Sequence, residues 1–255
     1  MIRAKEIFYF LVASIVVGYL FAFKQLLTGN LSSWLIYSIL AFIMIILNAL
    51  ACEIAVSRFG CDAEYRLWGT RNISWTVKKL FRHLREKERF KKEVPLWLIV
   101  PLVCIFVTLG LVKWLAVLVF EAVPVHLSRM KKGRLYAELT EWDLALIASL
   151  GPLINVLIAI VSKFISGRLA SGNLFEIFAV MNIWYAFFNL LPLSDFNGAK
   201  IFYGSKILWA FLFIFTLVIL ILLGITNIVT TLIAAVVLGL ISVVLIFLFF
   251  ERRHR

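Results

Sequence analysis

The sequence predicts an all-α polytopic membrane protein with about six transmembrane helices, a re-entrant hairpin and a small β-hairpin. Three observations point there. The 255 residues are 63% hydrophobic with a mean hydropathy of +1.01, more apolar side chain than a soluble domain of this size can bury. Seven apolar runs, near 6–23, 34–57, 95–121, 143–165, 174–193, 206–224 and 227–250, approach or exceed the roughly 20 residues that a spanning helix needs. Finally, the basic residues lie in blocks between those runs.

The first run follows Arg3 and Lys5, and no small-residue cleavage pattern follows Phe23 and Lys24; it reads as a retained helix, not a removed signal. Charge then sets the topology. If all seven runs crossed, residues 58–94, with eleven Lys and Arg, and residues 122–142, with Arg129, Lys131, Lys132 and Arg134, would face opposite sides, against the positive-inside rule. A run 95–121 that enters and returns on one side removes the conflict. Pro101, Gly110 and Lys113 lie inside that run, and a broken helix pair tolerates them better than a single span does. On this reading 22 of the 26 basic residues are cytoplasmic. Both termini are then cytoplasmic, in a multi-pass protein of the cell membrane.

Within residues 75–92, WTVKKLFRHLREKERFKK, Val77, Leu80, Phe81 and Leu84 share one side of a helix and basic residues fill most of the rest. A helix of this kind lies on an anionic leaflet, gaining about 1 kcal/mol per basic group near the surface. A plain basic loop is the other reading of the same residues. In 123–139, VPVHLSRMKKGRLYAEL, Val125 and Leu127 alternate with polar residues before MKKG, and Leu135, Ala137 and Leu139 alternate after it. That is a β-hairpin pattern with Gly133 in the turn. An open edge there can pair with an extended segment of another protein through backbone groups alone; an inert connector is the alternative. The last two runs are rich in Leu, Ile and Val and read as scaffold.

Several function classes drop out. The net charge of +12 belongs to the cytoplasmic face of a membrane protein and does not call for nucleic acid. Cys52, Cys61 and Cys104 have no C-x-x-C spacing, and His83, His126 and His254 form no H-E-x-x-H. A transporter or channel usually lines its path with charges, whereas the intramembrane polar residues here are mostly Asn.

Those asparagines mark three stretches: NALACEIAVSRFG at 48–60, ASLGPLIN at 148–155, and NLLPLSDFNG at 189–198. Uncharged polar groups at membrane depth cost free energy unless they find partners. Small residues in the second stretch let helices approach, so Asn155 is expected to hydrogen-bond across to Asn182 or Asn189. The third stretch resembles N-x-x-P-x-P-x-x-D-G, the signature of the site-2 protease family of intramembrane zinc metalloproteases. Asn189, Pro192 and Gly198 match, while Ser194 stands at the second Pro and Asn197 at the zinc-binding Asp. The second resembles the family's A-G-P-L-x-N. The first is similar to its catalytic helix, H-E-x-x-H with a closing Phe-Gly: on Phe59 and Gly60, Asn48 falls at the first His, Ala49 at the Glu and Cys52 at the second His. GCDAEYRLWG at 60–69 and NIWYAFFNLLPLSDFNGAKIFYGSKILWA at 182–210 resemble archaeal members in particular.

The resemblance covers about 48–70 and 123–210 and implies a site-2-protease-like core. It implies a single integral membrane domain over 1–255, with the core at 34–70 and 123–210, the basic segment at 71–94 and scaffold helices at 206–250. In that family two imidazoles four residues apart grip zinc from one helical face, a carboxylate from another helix completes the site, and the Glu takes a proton from metal-bound water. Here the ligand positions hold Asn48, Cys52 and Asn197, and Ala49 offers no base. The expectation is an inactive relative without a catalytic residue or cofactor, binding membrane-protein segments or peptides. Asn155, Asn182, Asn189, Asp195, Val125 and Leu127 are its candidate binding residues. The alternative is a zinc protease with an altered metal site, in which Cys52 and Asp195, the stand-in carboxylate, would be ligands; Glu53 lies about 100° around the helix from Cys52.

Overall fold

A computed structural model describes residues 3–69, 94–124, 139–169, 173–193 and 195–253. In chain order it contains α1 (Ala4–Leu27), α2 (Leu31–Arg58), β1 (Cys61–Leu67), α3 (Leu96–Val107) and β2 (Leu118–Pro124). Then follow α4 (Glu141–Ser166), α5 (Asn173–Asn189), α6 (Asn197–Gly204), α7 (Lys206–Leu222) and α8 (Ile228–Arg253). By length and composition four helices can cross a membrane: α1, α2, α4 and the Ile228–Leu248 part of α8. The apolar runs at 174–193 and 206–224 fold as α5 and α7, each of 17 residues, or about 25 Å at 1.5 Å per residue.

Helix α1 lies along α2, α4 along α5, and α7 along α8, with α2 against α4 joining the first pair to the second. Close approach is built into the sequence at Gly18, where an added Cβ would fall 2.2 Å from Ser38 Oγ and 2.6 Å from the Ser38 backbone nitrogen. A small residue is therefore required for α1 and α2 to meet. Thr140 starts α4: its hydroxyl accepts from the Asp143 amide at 3.1 Å, while Asp143 accepts from the Thr140 amide at 3.1 Å. This reciprocal cap satisfies two helix-end donors.

The run at 95–121 leaves and returns to one place. Trp97 N donates to Trp68 O at 2.9 Å, and Trp68 N donates to Val117 O at 2.9 Å. Between these anchors α3 runs out, reverses at Leu109 and Gly110 with φ of 51° and 79°, and comes back without helix. The expected broken helix pair is thus a helix with an extended return leg. Pro101 sits within α3; the reversal falls at Gly110, which adopts left-handed backbone without steric cost.

The structure also contains a sheet that the sequence pattern did not single out. Its strands are β1 and β2, antiparallel with Tyr65 opposite Phe120 and Glu64 opposite Glu121. The expected hairpin with Val125 and Leu127, and the basic helix at 75–92, lie outside the described residues. Hydrogen-bonded pairs alternate along an antiparallel ladder. Since Trp68 N bonds Val117 O, Tyr65 and Phe120 form a non-bonded pair. Tyr65 N accordingly turns outward and donates to Glu6 Oε1 of α1 at 3.1 Å.

Candidate functional site

Helix α2 brings Asn48 about 26 Å along its axis from Leu31, close to the end that carries the sheet. Asn48 and Cys52, four residues apart, share a face and are buried, as is Asn197 in the first turn of α6. All three side chains meet at Gly151 of α4, where a Cβ would lie 3.1 Å from Asn48 Nδ2, 3.1 Å from Cys52 Sγ and 3.1 Å from Asn197 Nδ2. The glycine of ASLGPLIN is therefore a spacer that lets three helices bring polar side chains together. Gly198 performs a similar service for α6: its Cβ would stand 2.1 Å from the Leu190 carbonyl oxygen.

Beside this meeting point is a cavity of ≈ 10 Å³, lined in part by Asn48, Ala49, Asn189 and Asn197, with Tyr65 of β1 and Tyr185 of α5. That is room for about one water. The Tyr65 hydroxyl donates to Ala49 O at 3.0 Å, and burial holds this phenol protonated well above its usual range. Asn189 Nδ2 donates to Tyr185 O at 3.0 Å, one helical turn back. Asn48 Nδ2 is buried without a hydrogen-bond partner among the described residues, a state that costs free energy.

Two expectations fail here. Asn155 does not bond across to Asn182 or Asn189: both its amide atoms are buried and unpartnered among the described residues. Asn182 Nδ2 instead donates to Phe178 O of its own helix at 2.8 Å, as Asn189 does to Tyr185. A carbonyl four residues back lies within reach of a short side chain regardless of how helices are rotated, and these amides take it. Asp195 does not join the cluster either. Its carboxylate is half-exposed and accepts from Arg66 of β1 at 2.9 Å, and Arg66 also binds Glu121 of β2 at 2.5 Å.

Lys200, one turn after Asn197, is a site residue that the sequence did not single out. Its Nζ donates to Phe120 O and lies 4.9 Å from the Phe120 ring centroid. Phe120 O points away from β1, so this lysine occupies the outer edge of β2. Burial pulls its ammonium down to about 8, against the opposing pull of Glu121 and Asp195.

The donors gathered at Gly151 are one thiol and two neutral carboxamides. Zinc sites use imidazole, thiolate and carboxylate, and carboxamides are poor ligands; among the described residues no three His, Cys, Asp or Glu come together. This set does not fit a catalytic zinc, and Ala49 supplies no base. No family model, curated protein or solved structure matches the chain.

Proposed function

We propose that this chain is a catalytically inactive relative of the site-2 proteases, a multi-pass protein that binds segments of other membrane proteins without cutting them. The observation that carries the reading is the convergence of Asn48, Cys52 and Asn197 on Gly151. Two positions one turn apart on α2 and a third about 145 residues later on α6 meet as a metal site would require, and they carry the wrong chemistry for one. Ala49, where the family has its Glu, lines the adjoining cavity.

The outward edge of β2 is closed at Leu118 and Phe120, which are buried and where Lys200 holds the Phe120 carbonyl. A bound segment would therefore pair through Val125 and Leu127, which follow that strand in sequence, by main-chain hydrogen bonds. Six spans with both termini cytoplasmic follow from the basic blocks, with α5 and α7 as the two shorter crossings. A protease with an altered metal site rests on the Cys52 thiol alone, since Asp195 is held by Arg66.

The test is restoration. Asn48→His, Ala49→Glu, Cys52→His and Asn197→Asp together are expected to bind one zinc per chain, where the wild type binds none and cleaves no peptide bond. Metal analysis of both purified proteins reads the outcome. Zinc at one per chain in the wild type, lost in Cys52→Ala, would establish the protease reading instead. A folded fourfold variant without zinc would sink the family geometry.

A further inference from the structure

A second cavity, of ≈ 160 Å³, lies between the start of α1 and the sheet and is lined in part by Lys5, Glu6, Tyr9, Glu64, Arg66 and Glu121. Its carboxylates are already engaged. Glu6 accepts from the Arg3 amide at 2.7 Å and from the Tyr65 amide at 3.1 Å. Glu64 is paired with Arg3 at 2.6 Å, and Glu121 with Arg66 at 2.5 Å. One cation and one hydroxyl of the lining remain. Lys5 Nζ lies 5.7 Å from the Tyr9 ring centroid and has no carboxylate in an ion pair among the described residues. The Tyr9 hydroxyl has no hydrogen-bond partner among them either.

Lys5 and Tyr9 are four residues apart and share a face of α1. An ammonium and a phenol so placed suit an anion with several oxygens, one supplying charge and the other a hydrogen bond. The setting says which anion. Helix α1 is long and apolar enough to cross a membrane, so its first turn meets the bilayer surface, where lipid phosphates are the anions within reach. Lys5 is exposed and Tyr9 half-buried, so both are open to a headgroup. Phe8, 61% exposed, has its ring centroid 6.4 Å from that of Tyr9, and the exposed Leu11 and Ile15 continue that apolar face along the helix. The polar walls of the cavity therefore take a headgroup alone, while acyl chains run outside it against α1.

We propose that this cavity binds the phosphate of a phospholipid headgroup, with Lys5 supplying the charge and the Tyr9 hydroxyl a hydrogen bond. Native mass spectrometry of the full chain in detergent tests it, by titration with phosphatidylglycerol, with diacylglycerol of the same chains and with soluble glycerol 3-phosphate. The phospholipid is expected to bind at least tenfold more tightly than either of the others. Lys5→Gln should weaken it tenfold or more, with recovery in Lys5→Arg, and Tyr9→Phe should weaken it about threefold. Lys24→Gln, which removes an exposed lysine at the far end of α1, should leave it unchanged. Undiminished binding in Lys5→Gln, or an equal loss in Lys24→Gln, would overturn the site. Diacylglycerol binding as tightly as the phospholipid would overturn the phosphate, and glycerol 3-phosphate binding as tightly would show that the ligand is not a lipid. Should Lys5→Gln fail to fold, undiminished binding in Tyr9→Phe would overturn the site instead.

Discussion

Replacing Lys200 by Met should change how stability depends on pH. In the folded protein burial lowers the ammonium from 10.5 to about 8, which is worth about 3 kcal/mol between the two protonation states. The unfolded chain therefore holds more protons than the folded one between pH 8 and 10.5. Stability must rise with pH across that window, and the full penalty stands below pH 8. Lys200→Met removes the titrating group and with it this pH dependence. The stability of the wild type relative to the variant should therefore rise by about 2–3 kcal/mol between pH 7 and pH 10. Thermal unfolding in detergent at intervals from pH 6.5 to 10.5 reads the difference between the proteins, in which other lysines and tyrosines cancel. A difference that stays flat across the window would refute the account of Lys200 as a half-buried, desolvated cation.

Glycine spacing gives a second prediction. Gly151→Val should cost about 1–3 kcal/mol through overpacking, because even its Cβ meets Asn48, Cys52 and Asn197 at 3.1 Å. Gly198→Ala should cost at least as much despite its smaller size, since the obstacle 2.1 Å away is the Leu190 carbonyl and backbone yields less than a side chain tip; the same unfolding assay ranks them. Topology gives a third: single cysteines at Lys131 and at Tyr203, which is 76% exposed, in a cysteine-free background should both react with an impermeant reagent only from the cytoplasmic side. Labelling from opposite sides would exclude six spans with a returning 95–121 segment.

The helices were legible because long apolar runs have few alternatives, and α1, α2, α4 and α8 fall on runs read directly from the sequence. The strands were less so. CDAEYRL in β1 does alternate, with Cys61, Ala63 and Tyr65 buried, and a period of two was present to be found. Strand β2, LVFEAVP, is mostly apolar on both faces and closes a long apolar run, where periodicity does not separate strand from helix. Asn48, Cys52 and Asn197 could be nominated from spacing, yet their meeting at Gly151 depends on how α2, α4 and α6 are rotated. The failures of Asn155 and Asp195 have that origin too. Asp195 is two residues from Asn197, but the turn before α6 sends it to Arg66 at the surface. Lys200 had no motif to mark it; its role comes from a carbonyl on a strand 80 residues earlier.

The double anchorage on Trp68 bears on how the chain assembles as it is made. Helices α1 and α2 and strand β1 leave the ribosome before residues 97 and 117, and both bonds that close the α3 segment end on the one peptide group pair of Trp68. Until then β1 has no ladder partner. Glu6 meanwhile can occupy one side of it, through the Tyr65 amide, while the Tyr65 hydroxyl reaches Ala49 of α2. The N-terminal hairpin thus carries its own template strand, held at two points and waiting about fifty residues for its mate. Lengthening that wait adds little closure entropy, about 0.6 kcal/mol per doubling of the intervening chain, so insertions between β1 and α3 are well tolerated by the pairing. A nascent chain halted after residue 69 already holds the strand on which β2 must pair.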